Sequence, residues 1–273
     1  MEFKQQATDL LNGGVIAQKS FFEKNQDDFL QEMVKHIGAE DGQVRDELNF
    51  RLLIDLLQYE VLTAPQKEVL LQGILQNKLL LHKLGECDTP SVFTRALSAE
   101  WLRLLVTEDQ IQSDLGEQIL QDALLLLDRE VDLRAQTATG FAYSVGNSAL
   151  LINILLRSRT DVKRYAPSVL TAIQSNFWKT HVFTDDEEER LISLIEVLLV
   201  NDVDEAIIIE WIEQVFDRVE NTIESEGYST RFLKARTEIL HFMKSLYFVL
   251  KFKNDYKKIQ SILSIFIQKW NRL

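Results

Sequence analysis

One cysteine, Cys87, stands in 273 residues. No disulfide can form within the chain, and such sparing use of cysteine fits a reducing compartment, so a cytoplasmic location is expected. Only three prolines (Pro65, Pro90, Pro167) and ten glycines punctuate the sequence. A sandwich or barrel needs far more turn chemistry, which leaves long helices as the expected elements. No apolar run approaches the roughly 20 residues of a membrane-spanning helix. The opening MEFKQQATDLL lacks the basic start and apolar run of a secretory signal.

Signature chemistry is scarce as well. There is no G-x-G-x-x-G, and Asn12-Gly13-Gly14 precedes no Lys-Ser/Thr at the P-loop offset. A G-x-S-x-G nucleophile elbow is missing. His36, His181 and His241 stand alone on their segments. His82, Glu86, Cys87 and Asp88 form the densest ligand-like group, but the spacing matches no zinc pattern and reads as a solvated loop. No cofactor and no metal are expected.

Positive charge is in deficit, with 30 Lys and Arg against 42 Asp and Glu and a net charge of −12. The deficit is uneven. Residues 228–273 carry a net of +8, which leaves −20 for residues 1–227. The basic tail is expected to dock on the acidic stretch 201–226 just before it. An overall negative field opposes approach to nucleic acid, so that partner ranks last.

What the sequence has is apolar periodicity. From Gln43, residues Val44, Leu48, Leu52, Leu53, Leu56 and Leu57 recur at spacings of three and four, a stripe on one helix face. Similar stripes follow from Pro65, from Ser91 (read as a cap), at 109–128, at 137–157 and at 163–178. Thr184 to Glu187 reads as a capping box for the next helix, and further stripes follow at 204–224, 229–251 and 255–270. Residues 2–11 and 15–37 read as helices broken at Asn12-Gly13-Gly14. Pairs thus begin near 43, 91, 137, 185 and 229, and a period near 45 residues suits HEAT or armadillo-type helix pairs. The expected fold is all-α, an α-solenoid of about five such pairs in one domain over 1–273. Residues 1–40 form an N-terminal helical cap, 43–227 the repeats and 228–273 the basic terminal pair. Late aromatics, from Trp211 to Trp270, read as core or as the sealing face of that terminal pair, with homodimerisation through 228–273 as an expectation.

Three segments, in order, resemble an uncharacterised bacterial family known as domain of unknown function 2785. They are His36-Ile37-Gly38 with Arg45-Asp46-Glu47-Leu48; Gly85-Glu86, Asp88 and Ser91 to Ala99; and Glu130-Val131-Asp132-Leu133-Arg134. The resemblance implies a helical, HEAT-like fold and no established activity. Along 140–150 the family looks like G-W-A-H-x-x-A-H-G-A-D, whereas this chain has Tyr143, Asn147 and Leu150 in place of two histidines and an aspartate. On one helix these positions share a face, and the family trio would suit a metal or acid–base chemistry. Tyr and Asn cannot take either role of His.

The stretch 137–156 is read as a buried central helix whose Gly140 and Gly146 admit a neighbouring backbone. Candidate ligand- or partner-binding residues are Asp88, Arg95, Asp132, Arg134, Tyr143 and Asn147, with Glu130 beside them. Their bland reading is ion pairs, solvated or buried, among them Arg45 with Asp46 and Asp88 with Arg95. The expected function is a non-enzymatic protein- or peptide-binding module. The alternatives are a small-ligand binder or lapsed metal-dependent enzyme at the central helix, and nucleic-acid binding by the basic pair.

Overall fold

The structure, a computed structural model, describes residues 2–24 and 26–271. Among the described residues the architecture is all-helical, with one two-stranded hairpin. In order come α1 (Glu2–Phe22), α2 (Asp27–Lys35), a π-helical stretch Gln43–Phe50 continuing into α3 (Arg51–Gln58), and α4 (Ala64–Gln76). Next are α5 (Ser91–Leu105), the short α6 (Glu108–Ile111) and α7 (Asp114–Arg129). A hairpin of β1 (Gln136–Thr137) and β2 (Gly140–Phe141) leads to α8 (Ser144–Arg157) and α9 (Ala166–Asn176). The chain closes with α10 (Glu187–Val200), α11 (Glu205–Glu226), α12 (Thr230–Lys253) and α13 (Lys257–Trp270). No described helix is long and apolar enough to cross a membrane.

Local chemistry explains several boundaries. Thr63 accepts from the Gln66 backbone N–H while the Gln66 side chain accepts from Thr63 N–H, and Pro65 occupies the first turn of α4. The kink of α1 falls at Gly14, whose φ of 63° suits a residue without Cβ. α1 ends at Phe22 and α2 starts at Asp27, so two helices stand where periodicity joined one over 15–37. The stripe at 109–128 is likewise cut, because Ser113 caps α7 through Leu115 N–H.

α8 packs on α5, α7 and α10. Its Leu151, Ile152, Leu155 and Leu156 are fully buried, each contributing roughly 1.5–3 kcal/mol of apolar transfer. α5, α8, α10 and α12 pack in succession along one side, and α7 packs on α9 along the other. Three hydrogen bonds join positions 44 to 49 residues apart. Asp88 N–H donates to Asp132, 44 residues on; Asn176 donates to Leu127 O, 49 residues back; Gln136 donates to Asp185, again 49 residues on. These offsets, 44 to 49 residues, lie close to the period near 45 of the apolar stripes.

Four local expectations need correction. The helix placed at 137–157 starts only at Ser144, because Gly140 takes φ 138° in the hairpin and Tyr143 adopts a left-handed conformation at φ 60°. Gly146 does permit a close approach, but of a side chain: a Cβ there would lie 2.0 Å from the Tyr143 ring. Ser91 is the first residue of α5 and not its cap; its hydroxyl accepts from Arg95 instead. Thr184 does not cap α10, since Asp186 sits left-handed before it and Glu187 turns back to accept Asp185 N–H at 2.9 Å.

Candidate functional site

The ligand-like residues converge where two connections meet: residues 82–90, leading into α5, and residues 130–143, leading from α7 to α8. Arg95 organises the junction. Its guanidinium makes a two-pronged pair with Glu130, Nε to Oε2 at 2.7 Å and Nη2 to Oε1 at 2.8 Å, with both side chains fully buried. Its other nitrogens donate to the carbonyls of His82 and Lys83 and to Ser91 Oγ. Glu130 also accepts from the backbone N–H of Val131 and Asp132 and from the Ser144 hydroxyl. Every lone pair that burial would strand therefore has a donor.

Asp132 and Arg134 form a second knot. Arg134 donates to Asp132 at 2.7 and 2.5 Å, and Asp88 N–H donates to Asp132 Oδ2 at 3.0 Å. Asp88, mostly exposed, pairs with Arg134 at 3.4 Å. The expected Asp88–Arg95 pair is thus redistributed: Arg95 takes Glu130 and Asp88 takes Arg134. Glu130 and Asp132 are fully buried, which corrects the solvated reading of that cluster. Arg45, also fully buried, bonds Asp46 and reaches Thr139 O in the hairpin, with Phe93 stacked 3.6 Å from its guanidinium carbon.

Cys87 Sγ, an Asp88 oxygen and an Asp132 oxygen lie within 4.8 Å of one another. The donor set fits a cation poorly, because both Asp132 oxygens already accept from Arg134. Partial burial and the Asp132 carboxylate push the Cys87 thiol above its usual range, so the thiolate that a soft metal needs is disfavoured.

Tyr143 and Asn147 do not act as one face. Tyr143 stacks on Phe141 with ring centroids 4.8 Å apart, and burial raises its phenol despite the nearby Arg190. Asn147 points away to donate to Ala96 O at 3.0 Å. The left-handed turn at Tyr143 sends the two side chains apart, so a trio at 143, 147 and 150 is not set side by side by one helix.

Sequence reasoning missed the third connection, residues 177–186, which continues the same edge. A cleft of about 310 Å³ lies between it and the connection 130–143, lined by Arg134, Ala135, Gln136, His181, Thr184 and Asp185. Burial and Lys234 lower the His181 imidazole. Beneath this connection Glu238 Oε2 accepts Phe183 N–H at 2.9 Å, while Glu238 Oε1 and Glu187 Oε1 have no hydrogen-bond partner among the described residues. Burial raises both carboxyls, Glu238 to about 7. Lys179, lowered by burial to about 8, donates to Leu127 O and Asn176. Lone charged residues on apolar stripes gave no signal that they would meet.

The profile of the family described as "Protein of unknown function (DUF2785)" matches residues 80–248. The chain belongs to this family. No curated protein and no solved structure is significantly similar to it. The DUF2785 match takes in the Arg95–Glu130 junction, the connection 130–143, the cleft and most of α12. The segment His36 to Leu48 lies before the matched span, and the helices from α8 to most of α12 lie within it.

Proposed function

We propose that this DUF2785 chain is a non-enzymatic α-solenoid that binds a protein or peptide along the edge formed by residues 82–90, 130–141 and 177–186. Helix pairs stacked through bonds 44 to 49 residues apart favour a solenoid of about five pairs. α1 and α2 would then serve as its cap.

The observation that carries the reading is what this edge leaves exposed. Glu130, Asp132, Arg134 and Asp88 are spent in ion pairs, whereas Phe141 and Val131 on the same connection remain 49% and 43% exposed. Apolar side chains on a scaffold fixed by buried ion pairs, next to hydrogen-bonding Gln136 and His181, suit a pre-organised contact surface. Arg95, Asp132, Arg134 and Asn147 support that surface from within; Asp88 sits at its rim.

The test is a pull-down from native lysate at two salt concentrations, comparing the unaltered chain with Phe141→Ala/Val131→Ser. A stoichiometric protein lost with the variant supports the reading, provided both chains melt alike. Equal retention by both, or a small molecule as the sole species retained, overturns it.

A further inference from the structure

The far end of the stack carries an apolar groove that the edge described above does not include. It runs between α12 and α13, with a volume of about 440 Å³, and Lys244, Tyr247, Phe248, Ile267 and Asn271 are among its lining residues. Aromatics earlier in the tail are core: Trp211, Phe216, Phe232 and Phe242 are nearly or fully buried. Phe248 and Phe252 are not. They are 53% and 84% exposed and stack on each other at 6.1 Å. Positions 244, 248, 251 and 252 fall on one stripe of α12 by helical spacing. Two lysines, Lys244 and Lys251, therefore alternate with the two exposed rings.

The charge of this face decides its occupant. No carboxylate is among the groove-lining residues. Three other tail bases are already neutralised from neighbouring helices, Lys253 by Glu196 at 2.5 Å, Lys269 by Glu220 and Arg231 by Glu226. Lys244 instead donates to the neutral Asn271 at 2.9 Å. A second copy placed face to face would set these lysines against their own images, which costs energy. A helix with an apolar face and glutamates flanking it meets both demands, in the helix-in-groove manner.

We propose that the α12–α13 groove docks an acidic amphipathic helix of another protein, with Phe248 and Phe252 as anchors and Lys244 and Lys251 as charge partners. This surface is independent of the Phe141 edge.

The probe is a labelled peptide of about 16 residues, roughly 24 Å as a helix, with Leu at i, i+3, i+4 and i+7 and Glu elsewhere. Its twin carries Lys for each Glu. Anisotropy with the full chain should show the Glu peptide binding at least about tenfold tighter than the twin. Phe248→Ser/Phe252→Ser should abolish binding, and Lys244→Glu/Lys251→Glu should reverse the preference; all four sites are partly or fully exposed, so folding is retained. Phe141→Ala/Val131→Ser should leave it unchanged, which separates this result from the fate of the edge. The proposal falls if the two peptides bind equally, or if binding survives the Phe changes. It falls equally if a single-stranded oligonucleotide binds more tightly than the Glu peptide. Self-association in sedimentation that Phe248→Ser/Phe252→Ser abolishes would assign the face to a second copy instead.

Discussion

Arg95 and Glu130 meet as a two-pronged ion pair at 2.7 and 2.8 Å with neither side chain exposed to solvent. Arg95 lies on α5 and Glu130 caps the end of α7, so the pair ties these two helices together at the edge where the connections gather. Breaking a buried pair from one side strands the remaining charge. Arg95→Leu is expected to cost about 3–5 kcal/mol, a fall in Tm on the order of 10 °C for a chain of this size. Arg95→Lys should recover only part of it, since an ammonium cannot make the fork. Calorimetry of the three proteins checks both statements.

Glu238 couples stability to pH. Burial lifts its carboxyl from 4.5 to about 7, so the folded chain holds the proton more tightly than the unfolded chain. The stability this proton confers is complete below about pH 4.5 and is lost as pH rises through about 7, on the order of 3 kcal/mol in all. Glu238→Gln keeps an acceptor for Phe183 N–H and removes the charge. The variant should melt higher than the unaltered chain at pH 8 and close to it at pH 5. Melting curves at the two pH values decide this.

Gly146 and Tyr143 are coupled by contact. A Cβ at 146 would strike the Tyr143 ring at 2.0 Å, and the ring is held by its stack on Phe141. Gly146→Ala is expected to destabilise by about 1–3 kcal/mol. In a Tyr143→Ala background the same change should cost little. Urea unfolding of the four members of the cycle gives the interaction energy, and strict additivity would contradict the contact.

Cys87 is exposed, yet partial burial and the nearby Asp132 raise its thiol. Modification by a disulfide reagent at pH 7.5 should run slower than for a free cysteine in a peptide and should accelerate steeply as pH climbs past 9. Stopped-flow rates across that range test it.

By itself the sequence determined the helices and their order. Apolar residues at three- and four-residue spacing, together with scarce proline and glycine, leave few other ways to bury the stripes, and Pro65 and Gly14 mark a start and a kink through their own backbone limits. Arg95, Asp132 and Arg134 were legible as candidates one by one, Arg95 at the start of a striped segment and the other two just before the next, but their meeting was not. What the tertiary structure decided was who pairs with whom. Arg95 takes Glu130 over Asp88 because only Glu130 is buried deeply enough to need the full fork. Residues 137–143 leave the helix because Arg45, from more than ninety residues earlier, claims the Thr139 carbonyl and leaves no room for a side chain at Gly140. Glu187 and Glu238 meet one short connection from two helices. Such contacts depend on distances between distant segments, and no local spacing in the chain encodes them.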